Sequence, residues 1–277
     1  MEIKVLFLDL DGTTLTNDQV HVSERNMKAI QEAMDKGIQV VPCTGRVLDM
    51  FPPQLLNRKG IRYCITCHGA RAFDRDTGRT LYENLITPAD SLKICRIIEG
   101  NGIYAEIAAQ NTIFLERAVD EKLDEMPVPA HHIWYIKDEH CQLAVDSPGE
   151  YLFSHGIGIE KVNIYGIPEA LQESLYGQLT NTGCIKHTRE EVKPDLEFSA
   201  RTLDKEQAVA AVLKELGVSL KECMIIGDSS SDLDMIKKVG FGVAMGNAPD
   251  SIKAQAKAVA PRNDEDGVAA MIEAYLL

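Results

Sequence analysis

No run of about eighteen apolar residues occurs anywhere in the chain, so no segment is fit to cross a membrane as a helix. Basic residues are in short supply: Lys and Arg number 29 against 42 Asp and Glu, a net charge of −13. Such a chain repels the nucleic-acid backbone and anionic lipid, so neither nucleic acid nor a membrane is an expected partner. It also repels a phosphorylated ligand at long range, so any phosphate chemistry must rest on a local patch of cations. The apolar stretch before Asp9 is too short to have the shape of a signal peptide. No internal repeat and no low-complexity tract is present. The seven cysteines are odd in number and scattered, which reads as reduced thiols in a cytoplasmic protein. Cys64 and Cys67, followed by His68, have C-x-x-C spacing. Residues 63–66 nevertheless read as a buried strand, and no second pair stands at zinc-site spacing. These are expected to be structural thiols, because a zinc site needs four ligands.

What is present is the composition of a globular protein, 45% hydrophobic and 26% charged over 277 residues, enough for one large domain or two modest ones. The first third alternates strand and helix. Ile3 to Leu8 and Ile38 to Cys43 are short apolar runs fit for strands buried on both faces. Between them Ser23 caps a helix carrying Met27, Ile30, Ala33 and Met34, ended by Gly37. Arg62 to Thr66 reads as a third strand and residues 71–82 as a hairpin about Asp76-Thr77-Gly78. The last third resumes the rhythm: a helix from Asp204 to Leu216, strands Cys223–Ile226 and Phe241–Met245, and a final helix striped by Val268, Met271, Ile272 and Tyr275. This alternation implies an α/β fold with a doubly wound, Rossmann-like parallel sheet. The middle loses the rhythm. Thr87-Pro88 opens a helix, residues 103–116 read as two strands about a Gln-Asn turn, and strand, helix and strand follow at 161–165, 168–179 and 184–188. Residues 1–83 and 190–277 are therefore expected to form one core, with 84–189 an inserted α+β cap domain.

Candidate chemistry collects where strands of the core run out, the place where open parallel sheets bind ligands. Asp9 and Asp11 follow the first strand at i and i+2, a spacing that faces both carboxylates to one spot. Carboxylates this close push each other's ionisation apart, so one can serve as nucleophile while the other holds a proton. Asp228 and Asp232 follow another buried strand, after Gly227. Oxygen-only ligands from several Asp residues suit a hard cation such as Mg²⁺. Thr44-Gly45-Arg46 ends the second strand and offers a hydroxyl and a backbone N–H to phosphate oxygens. Lys205 lies in the first turn of the helix after Asp204; on its own it would pass for a solvated surface lysine.

In these motifs the chain resembles the haloacid dehalogenase superfamily, and within it the Cof-type phosphatases with a type IIB cap. LDLDGTTL is similar to the first family motif, Thr44-Gly45-Arg46 to the second, Lys205 in LDKEQAVAAVL to the third, and GDSSSDLDM to the fourth, all in the family's order. The tail GFGVAMGNAPD, which contains Asn247, is also similar. The resemblance implies a magnesium-dependent phosphatase of small phosphorylated metabolites, a sugar phosphate or similar. Asp9 would be the nucleophile, Asp11 the general acid, and Lys205 the electrostatic partner. Thr44, Gly45, Arg46, Ser231 and Asn247 would lie on the phosphate side. Asp9, Asp11 (through its carbonyl), Asp228 and Asp232 would form the metal site. The inserted domain would act as a lid, with Trp134, Phe114, Arg117 and the histidines at 131, 132 and 140 as unassigned contacts. Two positions depart from the family pattern. Ser231 stands where the fourth motif has Asn, and His68-Gly69-Ala70 stands in place of Asn-Gly-Ala. Two rival readings share the motifs: a phosphomutase of the same fold, and a protein that binds a phosphorylated metabolite without turnover. A monomer or homodimer is expected.

Overall fold

The computed structural model describes residues 2–188 and 195–277. It divides into two compact units, one made of residues up to Arg46, Phe51–Glu83 and Lys205–Leu277, the other of Val47–Met50 and Asn84–Asp204.

The first unit is built on a five-stranded sheet in the order Ala258–Val259, Phe241–Ala244, Cys223–Gly227, Val5–Leu8, Gln39–Pro42, every neighbouring pair parallel. Alternate residues of a strand point to opposite faces. In Val5–Leu8 all four side chains are buried, and so are Met224, Ile225 and Ile226 beside them. Both faces are therefore covered, the doubly wound arrangement that continuous apolar runs demand. One face carries Val5, Phe7, Val41 and Ile225 against Ala208, Val209, Val212 and Leu213 of the helix Lys205–Leu216. Ser23 accepts a hydrogen bond from the Asn26 amide and caps the helix Glu24–Asp35, which packs on Gly267–Tyr275. Tyr275, expected on the buried stripe of that last helix, is 52% exposed and rests its ring 4.6 Å from Phe241. Beyond Gln39–Pro42, Cys43 bridges Ile65 in parallel, leading into the antiparallel sheet Tyr63–Thr66, Arg71–Asp74, Thr80–Glu83.

The second unit holds a six-stranded sheet in the order Ile185–His187, Leu196–Ala200, Lys161–Tyr165, Tyr104–Ala109, Thr112–Glu116, Gln142–Val145. Its pairs are antiparallel except the last, which is parallel. Gln110 and Asn111 turn the central hairpin with φ of 51° and 73°, as a two-residue turn with both φ positive requires. Here the structure corrects the expected boundary. The chain leaves this unit at Asp204, not near residue 190. The reason is Leu196–Ala200, which pairs with Lys161–Tyr165 and turns Leu196, Phe198 and Ala200 into the apolar core of this unit. Arg189 and Glu190, at the expected boundary, lie outside the described residues. Two of the suggested lid contacts are committed internally. Phe114 sits in that core, and His132 pairs through Nδ1 with the buried Glu106 at 2.5 Å.

Candidate active site

The parallel register sets the site. Leu8 lies level with Ile226 on one side and Pro42 on the other, so Asp9, Asp228 and the segment Cys43–Arg46 all emerge at the carboxyl edge. After Asp9 the chain makes a tight turn through Leu10–Thr14, held by the Thr14 hydroxyl, which donates to the Asp9 carbonyl at 2.6 Å. Gly12 is required there twice over. Its φ is +68°, and a Cβ would fall 2.3 Å from Oδ2 of Asp228. The same turn lets Thr13 donate to Oδ1 of Asp228 at 2.9 Å.

Three of the predicted carboxylates meet. Asp9, Asp228 and Asp232 each offer an oxygen, and these oxygens lie within 4.8 Å of one another. Asp9 is 8% exposed and Asp232 fully buried. Burial first, then the Asp232 charge, push Asp9 well above the usual carboxylate range, while Lys205 pulls the other way. Asp228 is pushed up to about 6 by burial and then Asp232, with the Thr13 hydroxyl opposing. The buried ammonium of Lys205 donates to Oδ1 of Asp232 at 2.8 Å. Burial works against its charge, but Asp232, then Cys43 and Asp9, raise its pKa above the ordinary value. Lys205 is thus no surface lysine.

When all three carboxylates are ionised, the one ammonium leaves two negative charges in a small volume, which is what burial resists and a cation would offset. The donors are hard oxygens with no competing nitrogen or sulfur in the cluster. That set fits a small divalent cation such as Mg²⁺ in both charge and chemistry.

The Asp11 carboxylate is not one of the clustered three. Arg46, 6% exposed, grips it with both arms of the guanidinium, Nη2 to Oδ1 at 2.5 Å and Nε to Oδ2 at 2.8 Å, and donates as well to the Gln19 carbonyl at 2.7 Å. The structure therefore engages Arg46, expected on the phosphate side, with Asp11 instead. The bidentate fork is the geometry in which Arg fixes a carboxylate best. Asn247, also expected toward phosphate, has its amide committed to main chain. It donates to the Gly12 carbonyl at 2.8 Å and accepts from the Asn263 amide at 3.1 Å, bracing the turn that carries Asp11. Ser231 is exposed and shares a hydrogen bond with the Ser229 hydroxyl at 2.8 Å. Ser229 in turn holds Oδ2 of Asp232 through both its amide and its hydroxyl.

Thr44 is buried at the end of its strand, its hydroxyl accepting from the Arg46 amide at 3.3 Å. The neighbouring loop is laced to it: the His68 amide donates to the Thr44 carbonyl and the Cys67 amide to the Arg46 carbonyl, both at 3.0 Å. Cys67, His68 and Gly69 run consecutively at φ of 48°, 55° and 95°. The left-handed region costs an ordinary L-residue roughly 1–2 kcal/mol, so two non-glycine residues there mark a loop held by its surroundings. Cys64 and Cys67 are both buried and form no disulfide.

With this geometry in view, the comparisons with known proteins are consistent among themselves. The sequence profile of the haloacid dehalogenase-like hydrolases matches residues 6–272. A 5-amino-6-(5-phospho-D-ribitylamino)uracil phosphatase of Bacillus subtilis, YcsE, is 30% identical, covering 100% of this chain and 97% of the relative. The phosphatase YwpJ of the same organism is also 30% identical, over 99% of this chain and all of its own length. The crystal structure of a haloacid dehalogenase-like hydrolase from Bacteroides thetaiotaomicron superposes with a TM-score of 0.80 at 25% identity, covering 99% of each chain. The chain belongs to the haloacid dehalogenase-like hydrolase family.

Proposed function

We propose that this phosphoric monoester hydrolase releases phosphate from small phosphorylated metabolites, a sugar phosphate or similar, through an aspartyl-phosphate on Asp9. The observation that carries the reading is the meeting of Asp9, Asp228 and Asp232 around one point, with Lys205 bonded to the innermost of them.

A carboxylate attacking a phosphate dianion must overcome repulsion between anions. Asp9, Asp228, Asp232 and the Asp11 carbonyl would hold Mg²⁺, which when bound neutralises charge on the transferring phosphoryl group. Lys205 and the donors of Thr44 and Gly45 stabilise the equatorial oxygens. Asp9 attacks phosphorus and the leaving oxygen departs with a proton from Asp11; Asp11 then takes a proton from the water that opens the aspartyl-phosphate. The Arg46 fork favours Asp11 as a carboxylate, the form the second step needs. For the first step Asp11 must carry a proton, so the pair has to loosen when substrate is bound. Cysteines that form no disulfide fit a reducing compartment, in keeping with a cytoplasmic protein. Among the described residues no helix is long and apolar enough to cross a membrane.

The test is a phosphate-release screen over sugar phosphates, ribityl phosphates, nucleotides and other phosphomonoesters with Mg²⁺ present. Release from at least one class, abolished by a chelator, is the expected outcome. Full activity after exhaustive metal removal would sink the metal assignment, and no release from any class the hydrolytic one. A second readout needs no substrate. The raised pKa of Asp228 means that, without metal, folding is penalised as pH climbs from about 4 through about 6, because the buried group must then carry its charge. A divalent cation relieves that penalty only where the carboxylates are ionised. Mg²⁺ should therefore raise Tm clearly at about pH 7.5 and far less at about pH 5. An equal shift at both values would contradict the charge argument.

A further inference from the structure

The strained loop after the strand Tyr63–Thr66 puts an imidazole against the phosphate-side segment. A Cβ built on Gly45 would lie 2.4 Å from both Cε1 and Nε2 of His68, so that edge of the ring rests directly on the glycine. The loop is equally close to the other phosphate-side element. A Cβ on Gly69 would lie 2.6 Å from the Cα of Lys205. Backbone bonds from His68 to Thr44 and from Cys67 to Arg46, both at 3.0 Å, fix the loop in this slot. His68 is only partly buried. It is a nitrogen-bearing side chain resting on the Gly45 segment, next to the glycine that meets the Lys205 helix, in a backbone conformation that most residues avoid.

We propose that His68 is a substrate-contacting residue whose Nε2 donates a hydrogen bond to a phosphoryl oxygen beside the Gly45 amide, and that it thereby sets how tightly this chain holds phosphate. The proposal rests on the reading that Thr44 and Gly45 carry the phosphoryl oxygens. It explains why residue 45 has no side chain: any Cβ would displace the ring. It also explains why a left-handed residue other than glycine is kept at position 68. Histidine, like asparagine, tolerates that region better than most residues and brings a side-chain N–H to the site.

The experiment is direct calorimetric binding of inorganic phosphate to the full-length protein with Mg²⁺ present, comparing wild type with His68→Gly and His68→Asn. Both substitutions accept positive φ, so the loop is kept, and a melting curve for each checks that. Glycine removes the donor without adding charge; asparagine supplies an amide N–H. Phosphate binding should weaken about tenfold in His68→Gly and stay within about threefold of wild type in His68→Asn. Binding by His68→Gly within about twofold of wild type, or binding by His68→Asn as weak as by His68→Gly, overturns the role of His68 and leaves the phosphatase reading standing. Wild-type protein that binds no phosphate overturns both.

Discussion

Asp9→Asn protein should turn over no phosphomonoester at a measurable rate, whatever the leaving group. The amide keeps the carboxylate's shape and fits the same buried space, but it is a far poorer nucleophile and cannot form the acyl-phosphate. Asp11→Asn should behave differently, because Asp11 only moves protons. With p-nitrophenyl phosphate the leaving group departs with little help, so the first step survives and a burst of nitrophenol precedes slow turnover. With a sugar phosphate the alkoxide leaves badly without an acid, and the same variant should lose about 10²–10⁴-fold, the usual contribution of a positioned acid or base. The Arg46 fork adds a structural control: Asp11→Asn breaks a bidentate ion pair whose Arg46 side is 6% exposed, so a melting curve must accompany the kinetics. A burst from Asp9→Asn together with an inert Asp11→Asn would reverse the two roles.

The second large effect is expected at Lys205. Its ammonium is the one cation bonded into the carboxylate cluster among the described residues, 2.8 Å from Asp232, and it opposes the rise of the Asp9 pKa. Lys205→Met keeps the length of the side chain and removes the charge. The loss of transition-state stabilisation should be about 3–4 kcal/mol, in line with the removal of one oxyanion donor, or roughly 10²–10³ in kcat/KM. The loss should be larger toward lower pH, because without the ammonium Asp9 keeps its proton to a higher pH and only the ionised carboxylate attacks. The measurement is kcat/KM for wild type and variant over a pH series. A change below about threefold, under ~1 kcal/mol, would make Lys205 a structural residue only.

Much of the core was legible because its strands are parallel and buried on both faces, which leaves continuous apolar runs such as Val5–Leu8 and Cys223–Gly227 with an Asp at each carboxyl end. The Gln110-Asn111 hairpin was legible because a two-residue turn of positive φ selects such residues. Leu196–Ala200 was not. One of its two sheet partners, Lys161–Tyr165, lies far back in the chain, and no local pattern says which sheet a five-residue strand will join. Asp9, Asp228 and Asp232 lie close together because each is fixed to the end of a strand or the turn after it. The partners of long, flexible side chains were beyond such reasoning. Nothing local to Thr44-Gly45-Arg46 shows that the guanidinium reaches back to Asp11, or that the Asn247 amide is taken by the Gly12 carbonyl. Those contacts are decided by the fold of the turn after the first strand, which the three-dimensional arrangement alone reveals.

The central claim is a covalent bond between phosphorus and Asp9, and trapping it is the most direct test. Asp11→Asn protein, in which breakdown of the intermediate is slowed, is mixed with a ³²P-labelled phosphomonoester and Mg²⁺, quenched in acid within the burst and digested. Label should be found on the peptide that carries Asp9 and be absent when Asp9→Asn is combined with Asp11→Asn. Label that appears only as free phosphate at every quench time, or on a peptide without Asp9, would contradict the mechanism.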